Sequence, residues 1–242
     1  MNIAILGFGV VGSGVAEVIK NNSDSIFKNS NVSLKVTRIL DIRDFPGNEY
    51  EDIITKNFDD ILNDDSIGVV LETMGGVKPA FDFVLACLNK GKHVVSSNKE
   101  LVATRGYELL EAAKKNNVNF LFEASVGGGI PIIRPMSRCL AGNRISEVAG
   151  ILNGTSNFIL TKMIMDGMSF DEALKLAQDK GYAEKDPTAD VEGLDAMRKI
   201  CILASLCFGK HVYPDSVYTE GITKIALADV EYAKAWGGVI KL

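Results

Sequence analysis

The stretch Gly7-Phe-Gly9-Val-Val-Gly12 decides how the first half of this 242-residue chain folds. It follows a short apolar run at residues 3–6, which predicts a buried strand, and it opens a segment at 11–20 with helical spacing. Between a strand and a helix, G-x-G-x-x-G is typical of a dinucleotide-binding loop. The glycines allow a tight turn, close approach of a pyrophosphate and packing of the helix on the strand. We therefore expect contacts to the cofactor from six consecutive residues: Gly7, Phe8, Gly9, Val10, Val11 and Gly12.

Strand and helix patterns alternate outward from this loop as far as about residue 125. Short apolar runs predict strands at 32–40, 68–71, 92–95 and 118–122, and helical spacing predicts helices at 79–89 and 101–115. Alternation of this kind implies parallel pairing, so the sequence predicts a doubly wound α/β sheet.

The second predicted strand ends in Leu40-Asp41-Ile42-Arg43, where such folds select their coenzyme. An acidic side chain at this point binds the ribose 2′-hydroxyl of NAD, whereas an arginine pairs with the 2′-phosphate of NADP. Both Asp41 and Arg43 are present, so either NADP or NAD fits the sequence.

The pattern changes at the glycine-rich break 126–131, and we place a domain boundary between residues 128 and 129. Beyond it the spacing predicts helices at 132–140, 156–165, 171–178, 188–208 and 229–236, and strands at 144–152 and 221–225. This predicts a second domain of α+β type over residues 129–242. Its apolar end, Val239-Ile-Lys-Leu242, predicts that the domain is truncated at its C-terminus.

Composition excludes several classes of protein. A hydrophobic content of 47% and a net charge of −5 argue against global disorder and against a nucleic-acid binder. The N-terminus has no signal-peptide pattern, and no window approaches the ~20 apolar residues of a membrane span, so we expect a soluble, cytoplasmic protein without a membrane partner. The four cysteines form no C-x-x-C pair, which predicts reduced, buried thiols.

Several later segments together resemble the homoserine dehydrogenase family over essentially the whole chain. They are Glu72-Thr-Met-Gly-Gly76, Ser97-Asn98-Lys99, Glu123-Ala-Ser-Val-Gly-Gly-Gly-Ile-Pro131, Asn153-Gly-Thr-Ser-Asn-Phe158 and Gly181-Tyr-Ala-Glu-Lys-Asp-Pro-Thr-Ala-Asp190, which runs on to Lys199. The resemblance implies a Rossmann-type NAD(P)-binding domain followed by a catalytic and dimerisation domain. It also implies a homodimer that interconverts L-homoserine and L-aspartate 4-semialdehyde for threonine and methionine biosynthesis.

Lys199 is the candidate acid or base for such a reaction. Reduction of an aldehyde needs a proton donor, and oxidation of an alcohol needs the reverse. Asp195 lies four residues earlier, so both side chains share one helix face, and its carboxylate favours the charged lysine. The resemblance assigns the same role to Lys199. The alternative is an ordinary surface ion pair.

The resemblance implies further site residues that bind the substrate or the cofactor. Glu184 and Asp190 match substrate-binding carboxylates, and Lys99 matches a lysine near the nicotinamide and the substrate. A lysine is an unfavourable choice at a helix start, which supports a functional role. The remaining matches are cofactor contacts: Gly75, Gly76, Ser97, Lys99, Gly181 and Glu184.

The loop that begins at Glu123 matches a monovalent-cation site of the family, usually assigned to Na⁺. The resemblance implies ligation by Glu123 and by the carbonyls of Val126, Gly128 and Ile130. Oxygen ligands on a glycine-bent backbone suit a hard cation. The alternative is a hinge that holds no ion.

Two other functions remain open from the sequence. A semialdehyde dehydrogenase that forms an acyl-thioester needs an activated cysteine, and Cys139 is the only one near the domain junction. Alternatively, the chain binds the cofactor or forms a dimer without turning over substrate, since the family normally continues beyond residue 242.

Overall fold

The computed structural model describes all residues from 1 to 242 and divides the chain into two compact units, Met1–Pro135 and Met136–Leu242. The division lies a few residues after the predicted boundary at 128/129. No helix in either unit has both the length and the apolar character that a membrane crossing demands.

The first unit is built on a six-stranded parallel sheet in the order β3-β2-β1-β4-β5-β6. Its strands are Asn2–Leu6 (β1), Lys35–Leu40 (β2), Ile54–Thr55 (β3), Ile67–Glu72 (β4), His93–Ser96 (β5) and Phe120–Leu121 (β6). Its helices are Val10–Asn21 (α1), Ser23–Ser30 (α2), Asp59–Leu62 (α3), Ala80–Asn89 (α4) and Lys99–Lys115 (α5). This strand order confirms the predicted doubly wound sheet, whose order reverses between β1 and β4.

The apolar runs that predicted the strands are buried in the sheet, as β1 shows. Residues 3–6 of β1 are all buried, because helices cover both faces of a parallel sheet. One cluster on this sheet joins Ile3 and Ile5 to Ala16 and Ile19 of α1, so the apolar stripe of the helix lies on the strand that precedes it. The packing brings the start of α1 to the carboxyl end of β1, where ligands bind in such folds.

The second unit contains helices and irregular segments only. Its helices are Gly154–Asp166 (α6), Phe170–Asp179 (α7), Thr188–Val191 (α8), Leu194–Phe208 (α9) and Leu227–Ala235 (α10). A buried cluster on α6 and α7, with Ile159, Leu160 and Met163 at its centre, also takes in Val191 and Ile222. The predicted helices at 156–165, 171–178 and 229–236 are confirmed.

The two strands predicted in this unit do not form, so the α+β prediction is wrong for these residues. A strand needs a neighbouring backbone to satisfy its N–H and C=O groups, and the unit offers none. Residues 144–152 run as an irregular, mostly exposed segment, and 221–225 form a turn in which Ile222 donates to the carbonyl of Val191 at 2.8 Å. The helix predicted at 132–140 is reduced to a single π-helical turn, Pro135–Cys139.

The long helix predicted at 188–208 is divided into α8 and α9 by Gly193. This glycine has a φ of +78°, a conformation that ends a right-handed helix. A side chain here would also meet a neighbour, since a Cβ would lie 3.1 Å from the carbonyl oxygen of Glu220. Asp190, which precedes the break, and Asp195, which follows it, therefore belong to separate helices.

We expect Gly193→Ala to destabilise the second unit more than Gly209→Ala does. Both glycines flank α9 with positive φ, but a Cβ on Gly209 meets nothing within 4 Å. Gly209→Ala should lower the free energy of unfolding by about 1 kcal/mol, and Gly193→Ala by at least ~1 kcal/mol more. Urea unfolding followed by circular dichroism measures the difference. Equal losses would show that the contact with Glu220 costs nothing.

Candidate coenzyme and catalytic sites

The glycine loop joins β1 to α1 with the geometry that its sequence predicts. Gly7 has a φ of +93°, and its N–H donates to the carbonyl of Leu40 at 2.8 Å. A Cβ on Gly12 would lie 2.0 Å from the carbonyl oxygen of Gly7, so only glycine allows the helix to approach the strand. A Cβ on Gly9 would meet nothing within 4 Å. The protein itself therefore places no atom where Gly9 would carry a side chain, which leaves that face of the loop open to a ligand.

The start of α1 offers unpaired backbone donors to an anion. Its N-cap, Gly9, has no side chain to cap the first turn, and the first turn contains no acidic residue. The amides of Val10 and Val11 therefore face outward with the positive end of the helix dipole, and the Val10 residue is 92% exposed. Phe8 differs from its neighbours, because its ring packs edge-on against Phe45 and Tyr50 in the core.

Asp41 is buried at the end of β2 and is saturated with hydrogen-bond donors. Its Oδ2 accepts from the N–H of Phe8 at 2.7 Å and from Nη2 of Arg43 at 2.9 Å. Its Oδ1 accepts from the N–H and Nε of Arg43 at 2.9 and 3.0 Å. The guanidinium of Arg43 is the main cause that holds the pKa of Asp41 at about 2, against the opposing effect of burial. Four donors fill the four acceptor positions of a carboxylate.

A cleft of about 460 Å³ opens beside this pair, at the carboxyl ends of β1, β2 and β4. Gly7, Gly9 and Asp41 line one part of it, and Met74 and Gly75 line another. Phe58 and Phe83 stack face to face at its edge, with ring centroids 4.1 Å apart. Arg43 and Lys56 add two exposed cations to the lining, and Lys56 lies 2.7 Å from the carboxylate of Asp44.

A buried network at the ends of β4 and β5 shapes the loop that holds Gly75 and Gly76. Glu72 is fully buried, and it accepts from the N–H of Met74 at 2.9 Å and from the hydroxyl of Ser96 at 2.5 Å. Asn98 donates to the carbonyl of Gly76 at 2.6 Å and caps α5 by accepting from the N–H of Leu101. The network therefore joins the Gly75–Gly76 loop to the helix start that carries Lys99, with the half-buried Ser97 between them.

Glu123 holds the turn that follows the glycine-rich break. Its carboxylate accepts from the N–H groups of Ile132, Ile133 and Arg134 at 2.6, 2.8 and 2.7 Å. Burial tends to raise the pKa of Glu123, but these backbone donors outweigh it and hold the pKa below its ordinary value. These three donors leave one acceptor position on Oε2, so the role of Glu123 as a cation ligand stays a prediction. The carbonyls of Val126, Gly128 and Ile130 stay the predicted donors, and the Na⁺ site itself stays a prediction.

The second unit brings Lys199 and Asp195 together in a largely buried ion pair. The ammonium of Lys199 lies 2.7 Å from Oδ2 of Asp195, whose side chain is 2% exposed, and it donates to the carbonyl of Leu152 at 2.9 Å. These contacts use two of the three N–H groups of the ammonium. The pair is therefore not the ordinary surface pair that was its alternative interpretation.

Asn153, which sequence reasoning did not single out as a site residue, connects this pair to Asp190. Its Nδ2 donates to Oδ1 of Asp190 at 2.7 Å and to Oδ2 of Asp195 at 2.9 Å. The signal available in the sequence was its place at the start of the segment 153–158. The structure thus gathers Asp190, Asp195 and Lys199 around one amide.

The predicted cofactor contact Gly181 and the predicted substrate and cofactor residue Glu184 lie on the loop between α7 and α8. Gly181 has a φ of +73° and Glu184 is exposed, with its backbone carbonyl accepting from Gln178 at 3.2 Å. The hydroxyl of Thr155, at the start of α6, donates to the carbonyl of Tyr182 at 2.8 Å and so ties this loop to the helix that Asn153 caps.

The four cysteines differ in burial. Cys87 and Cys201 are buried as predicted, and burial raises the pKa of Cys87 to about 12. Cys207 is half-buried. Cys139 is exposed, contrary to the prediction, because the π-helical turn that carries it ends in the irregular segment.

The fold, the glycine loop and its cleft define the first unit as a dinucleotide-binding domain of Rossmann type. Two family models match the chain, "Homoserine dehydrogenase, NAD binding domain" over residues 7–123 and "Homoserine dehydrogenase" over residues 131–242. The chain belongs to the homoserine dehydrogenase family, and its first unit is the NAD(P)-binding domain of that family.

Relatives of known sequence or structure support the same family assignment. Homoserine dehydrogenase from Synechocystis sp. is 44% identical over all of this chain and 56% of its own length. The crystal structure of a homoserine dehydrogenase from Thiobacillus denitrificans has a TM-score of 0.92 and 41% identity, covering this whole chain and 57% of that one. A hyperthermophilic archaeal homoserine dehydrogenase in complex with NADPH has a TM-score of 0.79 and 28% identity, covering 93% of this chain and 74% of that one. The chain thus spans a little over half the length of the curated relatives.

We expect Asp41→Asn to destabilise the first unit at neutral pH and to change its response to acid. The lowered pKa of Asp41 means that the unfolded chain takes up this proton first, so the stabilisation is complete above about pH 5 and is lost as the pH falls towards 2. Since Arg43 is exposed to solvent, the loss should be about 1–2 kcal/mol. Urea unfolding at several pH values measures it. A variant whose stability falls between pH 5 and 2 as steeply as the wild type's would contradict the assignment.

Proposed function

We propose that this chain carries the NAD(P)-dependent interconversion of L-homoserine and L-aspartate 4-semialdehyde, in threonine and methionine biosynthesis. The observation that supports it most is the largely buried Lys199–Asp195 pair, with one ammonium N–H left for a substrate oxygen, in a chain whose other unit binds NAD(P). The alternative thioester chemistry has no support, since the family is homoserine dehydrogenase and the exposed Cys139 has no activating partner among the predicted site residues.

Lys199 would handle the proton. The bound coenzyme supplies or accepts the hydride at the substrate carbon. As hydride reaches the aldehyde carbon, negative charge develops on oxygen, and the ammonium of Lys199 can stabilise that charge and then give up its proton. Asp195 orients the lysine, because it is buried and its Oδ2 lies 2.7 Å from the ammonium. Reduction of the aldehyde uses a proton of this ammonium, and oxidation of the alcohol would need the amine to accept one instead.

The carboxylates nearby suit an amino-acid substrate. Homoserine and the semialdehyde both carry an α-ammonium group, and a half-buried carboxylate such as Asp190 can bind it with a charge-assisted hydrogen bond. Glu184, exposed on the neighbouring loop, provides a second negative charge. We propose that both carboxylates bind the substrate and that Lys99 lies near the nicotinamide and the substrate.

We propose that NADP is the preferred coenzyme. All four acceptor positions of Asp41 are filled, so a ribose 2′-hydroxyl would have to displace Arg43 in order to bind there. A 2′-phosphate needs cations, and Arg43 and Lys56 provide two at the edge of the cleft. The NADPH complex of the archaeal relative is consistent with this preference.

The homodimer and the cytoplasmic location are also proposals. Exposed Tyr218, Tyr232 and Trp236 in the second unit suit a protein interface, and free thiols suit a reducing compartment. A Na⁺ ion held by Glu123 and the carbonyls of Val126, Gly128 and Ile130 is likewise a proposal, and its role would be structural, with no part in the transfer of the proton or the hydride.

Lys199→Ala should lower kcat by at least roughly 100-fold while leaving the affinity for the coenzyme nearly unchanged. Lys162→Ala is the matched control, since Lys162 forms a pair of the same spacing with Asp166 at 2.7 Å on α6. Reduced-nicotinamide absorbance measures turnover, and fluorescence titration measures coenzyme binding. Most of the turnover surviving in Lys199→Ala would remove this lysine from the mechanism. No turnover in the unmodified chain, with coenzyme binding intact, would mean that these residues bind the coenzyme without catalysing the reaction.

Arg43→Ala should weaken NADPH binding by roughly 10- to 100-fold, because a charge-assisted hydrogen bond to the 2′-phosphate is lost, and should change NADH binding far less. Arg38→Ala is the control, since Arg38 lies on β2 five residues before Arg43 and outside the cleft lining. Titration of each variant with NADPH and with NADH gives the ratio of the two dissociation constants. If Arg43→Ala weakened NADPH and NADH binding by the same factor, residues other than Arg43 would determine the coenzyme preference.

A further inference from the structure

Asn153 uses both ends of its side-chain amide, although the residue is only 5% exposed. Its Oδ1 accepts from the N–H of Ser156 at 2.8 Å and so caps α6. Its Nδ2 donates to Asp190 and to Asp195. A buried amide that lacked partners would cost free energy, and here each of its polar atoms has one.

Capping does not explain why this residue is an asparagine. Serine, threonine and aspartate cap helices about as well, because the cap needs only an oxygen that accepts from the first turn. Among these residues only asparagine adds an NH₂ group with two donors. The contact with Ser156 also fixes which end of the amide is oxygen, so the NH₂ group must face the two carboxylates.

The two carboxylates need such a donor. Asp190 Oδ1 and Asp195 Oδ2 hydrogen-bond the same nitrogen, so two negative charges lie close together where little water screens them. Like charges at this range repel one another. The NH₂ group of Asn153 offsets this repulsion by donating to both carboxylates, and the Lys199 ammonium adds its charge on the side of Asp195.

Consecutive residues hold both ends of the ion pair. The carbonyl of Leu152 accepts from the ammonium of Lys199 at 2.9 Å, and the amide of Asn153 donates to the carboxylate of Asp195 at 2.9 Å. Because α6 begins at the next residue, the position of this helix determines where the lysine nitrogen lies.

We propose that Asn153 is a positioning residue that joins the substrate carboxylate Asp190 to the proton-transfer pair Asp195–Lys199. It acts through these side chains and does not itself touch the reacting atoms. The inference deepens the proposed function, on which its kinetic consequence rests, while the hydrogen bonds of the amide can be tested without turnover.

Asn153→Asp separates positioning from capping, because aspartate keeps the oxygen that caps α6 and removes both donors. We expect kcat to fall by roughly 10- to 100-fold and KM for homoserine to rise by at least roughly 10-fold, since a third carboxylate would face the other two. KM for the coenzyme should stay close to that of the wild type, whereas the melting temperature should fall, because a third carboxylate is buried beside the other two. A residue with a structural role alone would lower the melting temperature and leave both kinetic constants unchanged.

Ser169→Asp is the matched control. Ser169 is the exposed N-cap of α7 in the same unit, so this variant also introduces an aspartate at a helix N-cap. It should leave kcat, KM and the spectroscopic signals of Asn153 unchanged.

Nuclear magnetic resonance of the ¹⁵N-labelled full chain tests the hydrogen bonds directly. The two side-chain N–H protons of Asn153, assigned by their loss in Asn153→Asp, should be shifted downfield and should exchange slowly with water. Asp190→Asn and Asp195→Asn should each move one of them. Protons that exchange as fast as those of an exposed asparagine would overturn the proposal, as would wild-type kinetics in Asn153→Asp. Slow exchange in a wild-type chain that does not turn over homoserine would support the positioning geometry and contradict the proposed activity instead.

Discussion

The close approach of α1 to β1 is the constraint on which the first unit depends. The position that a Cβ of Gly12 would take lies 2.0 Å from the carbonyl of Gly7, so any side chain there would push the helix from the strand. That approach sets the helix start at the carboxyl end of the sheet, where its free amides become a site for phosphate. Thr73 adds to the constraint, because its hydroxyl donates to the carbonyl of Gly7 at 2.7 Å and joins the loop after β4 to the glycine loop. The position of the coenzyme site is therefore a consequence of this close approach.

The second unit depends on a different constraint, the burial of charge. An ion pair with one partner 2% exposed gains little net stability, because removing its charges from water offsets most of their attraction. Hydrophobic residues of similar volume would serve the core as well. The presence of Asp195 and Lys199 at such a position supports the proposed proton transfer, and the neighbouring amide of Asn153 and carbonyl of Leu152 supply the hydrogen bonds that a buried pair needs.

The parallel sheet could be predicted from the sequence because its evidence is local. Buried strands are short apolar runs, and the glycine loop requires one backbone path. In the second unit, local sequence patterns were not enough to predict the secondary structure. Residues 144–152 were expected to form a strand, yet no backbone in the unit pairs with them. Gly193 divides a continuous helical pattern through its φ of +78°. The spacing of Asp195 and Lys199 predicted a shared helix face. It could not distinguish that pair from Lys162–Asp166 or Lys175–Asp179, which have the same spacing and are far more exposed, because burial depends on residues distant in the chain.

The residues that sequence reasoning passed over share one chemical feature. Asn98 and Asn153 both cap a helix with the amide oxygen and use the amide NH₂ group for a group at the site, Asn98 for the carbonyl of Gly76 and Asn153 for the carboxylates of Asp190 and Asp195. At a helix start, a sequence pattern predicts only that a side-chain oxygen accepts from the first turn, since every capping residue provides such an oxygen. The exposed cap Ser169 fulfils its role with a hydroxyl. Where a cap is buried and is an asparagine, the second half of its amide must be satisfied, and the group that satisfies it is the place to look for function.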